Sequence, residues 1–192
     1  MDDFTKYSWL YPLYFKSDVF STLTTFILKV QTLLELKVQC IRSASGGEFL
    51  NKSLQSFLND QGITHQLSCP HTPEQNGCAE RKDPHVVEMG RTLLSHSGLP
   101  AKFWVEVFQT AIYLINRLPS GFSMISPWEL LFHVSPMYHT LKTFRCACYP
   151  SLKPFASDKL DAKSKQCVFL GYSLNHNGYK CFDPVINKHS LI

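Results

Sequence analysis

The fold class this sequence predicts is an α/β sheet with crossover helices, followed by a small β-barrel or meander. Three observations point there. Through about Leu118 the chain runs strand, helix, strand, helix, strand, helix, helix, the order of a sheet crossed by helices. From Thr143 onward the pattern changes to short apolar runs split by Gly171, Gly178 and Pro184, the spacing of a small β module. Charge divides at the same place. Residues 1–137 carry 11 Lys+Arg against 12 Asp+Glu, whereas residues 138–192 carry 8 against 3. The positive excess of the whole chain, +4, therefore lies in the last third, and a basic module of this size suits a phosphate backbone or simply a solvated lysine face.

Tyr7 to Phe15 alternates aromatic and small residues and is expected to be a strand. Ser17 is a plausible helix N-cap. After it, Val19, Phe20, Leu23, Phe26, Ile27, Val30, Leu33 and Leu34 recur at three- and four-residue steps, which makes one apolar helical face directed at a core. Val38 to Arg42 is short, apolar and bounded by Ser and Gly, the pattern of a buried strand. Asn51 to Asp60 predicts a short helix closed by Gly62, and Ile63 to Ser68 another strand. Pro70, Pro73, Asn76 and Gly77 make Cys69 to Gly77 a loop. A helix follows to about Ser97. Gly98 and Pro100 separate it from a last helix, Ala101 to Leu118, whose buried side would hold Phe103, Trp104, Val107, Phe108, Ala111, Ile112 and Ile115. Pro119 to Pro136 is expected to be a linker with one helical turn near Trp128. Gln166-Cys-Val-Phe-Leu and Tyr179-Lys-Cys-Phe supply strands of the final module.

Composition excludes several classes. With 44% hydrophobic and 18% charged residues the chain suits a globular protein. No apolar stretch reaches the length of a membrane span; Val19 to Leu36 is interrupted by Lys29 and Gln31. The opening Met1-Asp2-Asp3 is not a signal peptide, so the expected localisation is nuclear or cytoplasmic and not secreted. The seven cysteines form no Cys-x-x-Cys pair, which argues for reduced, mostly buried thiols and against a structural zinc site. His65, His71 and His85 have no metal-ligand spacing and read as hydrogen-bonding or exposed histidines.

Three segments carry chemistry. They are Ile41-Arg-Ser-Ala-Ser-Gly-Gly-Glu-Phe49, Cys69-Pro-His-Thr-Pro-Glu-Gln-Asn-Gly-Cys-Ala-Glu-Arg-Lys82, and Cys167-Val-Phe-Leu-Gly-Tyr172 with Gly178-Tyr-Lys-Cys181. Asp2-Asp-Phe-Thr-Lys-Tyr-Ser-Trp9, Phe103-Trp104 and Asn116-Arg-Leu-Pro119 accompany them. Together they resemble the integrase of copia-type retrotransposons over nearly the whole chain, from late in its ribonuclease-H-like core into the SH3-like β module that follows. The resemblance implies a truncated integrase core over residues 1–118, a linker over 119–137 and a truncated SH3-like barrel over 138–192.

It also implies a chemistry. Family members join DNA ends with two Mg²⁺ ions, which activate the attacking hydroxyl and stabilise the leaving oxygen. Hard cations need oxygen ligands, so the family uses three carboxylates: an Asp on the first strand, an Asp after the fourth, and a Glu at the start of the helix following the Asn-Gly loop. Here the third corresponds to Glu80. Ala44 stands where the second belongs, Ser45 follows it in place of the family's Asn, and the first falls outside these residues. Asp2 and Asp3 match a turn motif of the family, not its metal site. Glu48 matches a family position and is the first substitute to consider for a missing ligand. Where the family continues with basic or histidine residues after Glu80-Arg-Lys82, this chain has Asp83-Pro84, a good N-cap and first helical position, so a kink or fresh helix start is expected there.

The expectation is thus a degenerate remnant of an integrase, with Glu80 its one remaining acid and residual metal ligand, and Mg²⁺ a cofactor of the family not productively held here. Arg81, Lys82, Lys142, Arg145, Lys153, Lys159, Lys163 and Lys165, with Lys180 and Lys188 on the same module, would give weak, non-specific DNA binding. A domesticated nucleic-acid-binding or interaction fragment and a residual metal-dependent nuclease or strand transferase are the alternatives. No partner protein or oligomeric state is implied.

Overall fold

The computed structural model describes residues 1–68, 77–119, 124–152, 162–173 and 178–191, with the backbone alone given over 77–83 and at 190 and 191. The expected loop Cys69 to Gly77 falls largely outside these residues. The chain forms two compact units, one of residues 11–82 and one of residues 1–10 with 83–192.

In the unit of residues 11–82, a 3₁₀ turn at Lys16–Asp18 leads into α1, Val19–Leu34. Ser17 does not cap it: Asp18 occupies the N-cap, without a side-chain bond, because the 3₁₀ turn already supplies the first carbonyls. Only part of the expected apolar face is used. Ile27 is buried, Phe20, Leu23 and Phe26 pack around it, and Leu33 is 62% exposed. Left-handed Glu35 ends the helix. Strand β1, Cys40–Ser43, pairs in parallel with β2, Thr64–Leu67, Cys40 lying opposite Thr64. The helix that crosses between them is α2, Lys52–Asp60. Its start is fixed by the Asn51 side chain, which accepts from the Leu54 amide at 2.9 Å, and its end by Gly62 at φ +65°. Leu54 and Leu58 of α2 join Ile27 and Ile63 in the core. Strand β1 is not buried on both faces as expected: Cys40 and Arg42 are exposed while Ile41 and Ser43 are half-buried, because α2 covers one side.

The expected strand Tyr7 to Phe15, which the division into units splits after Leu10, does not form; residues 6–13 have no ladder partner. Ser8 instead exchanges both backbone bonds with the buried Asn116 side chain, donating to Oδ1 at 2.9 Å and accepting from Nδ2 at 2.7 Å. One amide replaces a strand neighbour. Asp2 closes a turn, accepting from the Thr5 amide at 2.7 Å, in keeping with its assignment as a turn residue.

Helix α3 spans Gly77–Ser97 with Pro84 inside it. The fresh start expected at Asp83 is not observed. The division between the two units does fall there, between Lys82 and Asp83. A second 3₁₀ turn, Ala101–Phe103, leads into α4, Trp104–Arg117. Val107, Thr110, Ala111, Ile115 and Asn116 are its buried side, whereas Trp104 is 47% exposed. The turn near Trp128 is α5, Pro127–Phe132, capped by Ser126, whose Oγ accepts from the Glu129 amide at 3.1 Å.

The last elements are β3, Ala147–Cys148, β4, Cys167–Tyr172, β5, Tyr179–Asp183, and β6, Lys188–Leu191. They form a four-stranded antiparallel sheet in sequential order. The expected barrel is therefore an open meander among the described residues. It packs on α4 through Phe103, Val107, Phe144 and Leu170. A register shift between Phe169 and Gly171 marks a bulge in β4, where Gly171 adopts φ +120° directly against Thr110 of α4.

Candidate functional site

The position that the family resemblance assigns to a metal ligand lies just past β1. Ala44 is exposed, and its carbonyl accepts from the Ser43 hydroxyl at 3.1 Å. Its neighbours are tied down by short polar contacts. Ser45 Oγ donates to the Ser68 carbonyl at 2.9 Å. The Ser43 hydroxyl also lies 2.9 Å from His65 Nε2, and His65 Nδ1 is 2.7 Å from Gln55 Nε2. That chain joins β1, β2 and α2, so His65 is a hydrogen-bonded histidine, as expected. Glu48 folds back over Gly46, where its carboxylate would meet any added Cβ.

What this arrangement can do follows from Ala44. A methyl group has no lone pair for a hard cation. Glu80 sits in the first turns of α3; its side chain, and those of Arg81 and Lys82, lie outside the described residues, as does His71. His85 is exposed. Among the described residues no three His, Cys, Asp or Glu side chains converge on a point that could hold a metal ion. The Ala44 side chain itself offers no ligand atom to such an ion.

The basic module is less uniform than its composition suggests. Lys142, Arg145, Lys163 and Lys188 are exposed. Lys153 and Lys159 lie outside the described residues. Lys165 is committed to Asp183 at 2.6 Å, a carboxylate 3% exposed that also accepts from the Val185 amide at 2.9 Å. Lys165 and those amides hold the Asp183 carboxyl below the usual carboxylate range, and Asp183 in turn raises Lys165. Lys180 donates to Gln109 Oε1 at 2.7 Å. Two of the module's cations are thus spent inside the fold.

The cysteines share a face of this sheet. Cys148 and Cys181 bring their sulfurs to 3.0 Å, and Cys167 stands opposite Cys148 in the ladder. Burial raises the thiols of Cys146, Cys167 and Cys181, away from the reactive thiolate form.

Charge and motif counting miss one feature. A cavity of about 520 Å³ opens between α4, α5 and the sheet, and Arg117 lies on its wall. The guanidinium is clamped on both faces, 3.4 Å from the Tyr113 ring centroid and 4.0 Å from that of Trp128. Tyr113 stacks in turn on Tyr172, 3.7 Å between centroids and 5° from parallel. Burial lowers the Arg117 pKa, opposed by the neighbouring tyrosines, and arginine stays charged even so. The string Asn116-Arg-Leu-Pro119 was the available signal: its first two residues pin the amino-terminal segment and build the cation stack.

Residues 146–190 match the family described as the retroviral polymerase SH3-like domain. The retrovirus-related Pol polyprotein from transposon RE1 of Arabidopsis thaliana is 48% identical over 182 residues, 94% of this chain and 12% of that protein. The corresponding polyprotein from transposon TNT 1-94 of Nicotiana tabacum is 35% identical over 98% of this chain and 14% of its own length. Among solved structures, the HTLV-2 integrase catalytic core domain in complex with magnesium gives a TM-score of 0.46 at 20% identity, covering 60% of this chain and 70% of that one. The chain spans only about an eighth of the length of the polyproteins it matches. By its sequence it belongs to the Pol polyproteins of copia-type retrotransposons, in the stretch that ends with the retroviral polymerase SH3-like domain.

Proposed function

We propose that this chain is a nucleic-acid-binding remnant of a retrotransposon integrase that does not itself join DNA ends. The observation that carries this reading is Ala44, a methyl group at the end of β1 where the family resemblance calls for a metal-binding carboxylate. Mg²⁺ accompanies the integrase core to which the chain is structurally similar. With a methyl group in the second acid position, Glu80 lacks a carboxylate neighbour to share Mg²⁺, an ion that keeps most of its waters and is held weakly by few carboxylates. Binding without chemistry is what remains.

Its surface is the exposed set Lys142, Arg145, Lys163 and Lys188, with Arg81, Lys82, Lys153 and Lys159 as further candidates by sequence. Contacts of this kind read phosphates and not bases, so affinity is non-specific, about micromolar or weaker at physiological salt, and falls steeply as salt rises. The test sets two assays side by side. Duplex DNA is expected to be retarded at low salt and released by roughly 0.2 M salt. No strand transfer or 3′-processing is expected with Mg²⁺ or Mn²⁺. Metal-dependent joining abolished by Glu80→Gln would overturn the reading, and so would absence of retardation at low salt.

A further inference from the structure

Two cysteines meet inside the last sheet, and neither has a part in strand transfer or in the basic surface. Cys148 stands opposite Cys167, and Phe169, two residues along the same strand, stands opposite Cys181. Side chains two apart share a face. Cys148 and Cys181 therefore point to the same side of the sheet, from the two strands that flank β4. Cys167, Phe169 and Cys181, at 1–2% exposure, make that side its interior. Cys148 is half-buried on the edge strand. Its thiol donates to Cys181 Sγ at 3.0 Å. Carbon atoms in ordinary contact stand ~3.5–4.0 Å apart and sulfur is larger, so nothing fits between the two sulfurs. A zinc ion, about 2.3 Å from each thiolate, would spread them. Among the described residues no three His, Cys, Asp or Glu side chains converge on a metal position. The chemistry left to the pair is to lose its two hydrogens.

We propose that Cys148 and Cys181 form a reversible disulfide that latches the edge strand β3 to β5. Strand β3 has two residues and pairs with β4 alone, so it is the member that gives over the remaining approach of roughly 1 Å to bonding distance. The order of steps follows burial. The Cys148 thiolate, reachable from solvent, attacks a small disulfide such as oxidised glutathione. One glutathione thiolate is expelled and takes up the proton that Cys148 gave, leaving a mixed disulfide. Cys181 lies on the inner side of Cys148, opposite the departing group. It attacks Cys148 Sγ, and its proton leaves with the second glutathione. The two cysteines lose two electrons and two protons, and one small disulfide becomes two thiols. Burial, and then the Cys148 contact, hold the Cys181 thiol above the usual thiol range, which slows the second step. The product carries no charge, so the same burial does not oppose it. The latch stands apart from the nucleic-acid-binding reading.

The test takes the full chain, reduced, through glutathione buffers of rising oxidised fraction. Cleavage after Arg145, Lys165 and Lys180 puts Cys148, Cys167 and Cys181 on three separate peptides. Cys146 shares the first of them, so the mapping is repeated in Cys146→Ser. Mass spectrometry is expected to find the first and third peptides joined within one chain, with two free thiols lost, and dithiothreitol should undo the link. Half-oxidation should come at an oxidised fraction roughly tenfold or more below that needed by the same chain in urea, because the fold holds the sulfurs together. Cys148→Ser should abolish the link and Cys167→Ser should keep it. Where either variant fails to fold, the mapped parent decides. The oxidised chain should melt at a higher temperature than the reduced one, since the link restricts the unfolded chain across residues 149–180. Thiols that stay free until the chain is unfolded would overturn the proposal. A link from Cys148 to any other cysteine, a link between two chains, or a link that lowers the melting temperature would do the same.

Discussion

Gly171→Ala should cost this protein more than any neighbouring small substitution, and the structure says why in two separable parts. The backbone there has φ +120°, at the bulge of β4. An L-residue held in so sparsely populated a region costs about 1–3 kcal/mol. An alanine Cβ would also fall well inside van der Waals contact with Thr110 Oγ1. That oxygen cannot move aside, because it donates to the Glu106 carbonyl at 2.8 Å and Thr110 is 2% exposed. Overpacking of this kind adds about 1–3 kcal/mol. The expected loss is roughly 2–6 kcal/mol, a large share of the ~5–15 kcal/mol stability of an ordinary domain. The two parts can be told apart. Thr110→Ala removes the oxygen and leaves the Glu106 carbonyl oxygen at 3.8 Å as an ordinary contact of the new Cβ. The double variant should therefore recover the steric part and retain the backbone part. Urea melts of the four proteins measure this. A Gly171→Ala variant within about 0.5 kcal/mol of the parent, or a double variant no more stable than Gly171→Ala, would refute the argument that α4 and β4 approach through this glycine.

Asn116→Ala leaves the Ser8 amide and carbonyl without partners. It should cost about 1–3 kcal/mol, read as faster hydrogen exchange at Ser8 and earlier proteolysis within residues 1–10. The Asp183 carboxyl is held below its ordinary value by Lys165 and by the Val185 and Ile186 amides. Its stabilisation is therefore complete above the unfolded value near pH 4 and is lost as pH falls through the lowered folded value. Melting temperature followed from pH 7 to pH 2 should show that acid limb in the parent and a flatter one in Asp183→Asn.

How far the sequence discloses this fold depends on whether the signal is local. Helix α2 is legible because Asn51 and Gly62 bracket it, and both act through atoms within four residues. Helix α5 is legible for the same reason, with Ser126 capping before Pro127. Tyr7 to Phe15 misleads because its alternation is that of a strand, while the partner of Ser8 is a side chain 108 residues away. Pro84 does not start a new helix. An interior proline costs about 3 kcal/mol in an isolated helix, yet α3 continues through it, and Val86 just beyond is 8% exposed; burial of the later turns offsets the local cost. Charge counting finds the basic module but not that Lys165 and Lys180 are spent on Asp183 and Gln109, since those contacts exist only once the sheet is made and set on α4. The substitution at Ala44 is legible without any structure, because it is a matter of which atoms are present. The Arg117 stack is not: the residues that clamp it, Tyr113 and Trp128, lie on different helices.

The same distinction between atoms present and atoms arranged governs catalysis. Restoring the acid by Ala44→Asp supplies an oxygen at the end of β1, beside the Ser43–His65–Gln55 chain that already fixes the backbone there. In the 192-residue chain it yields two carboxylates of the family's three, Asp at 44 and Glu80. Two metal ions about 4 Å apart need ligands on both sides of the reacting phosphate, and members of a catalytic unit act together, so the loss of any one commonly costs about 10⁴-fold or more. The substituted chain is therefore expected to gain affinity for Mn²⁺, measured by calorimetry, without gaining strand transfer. Glu80→Gln in that background should remove the gain if both oxygens face one ion. Mn²⁺ affinity equal in the parent and in Ala44→Asp would show that position 44 does not point into a metal site at all. The case for lost chemistry would then have to rest on some residue other than Ala44.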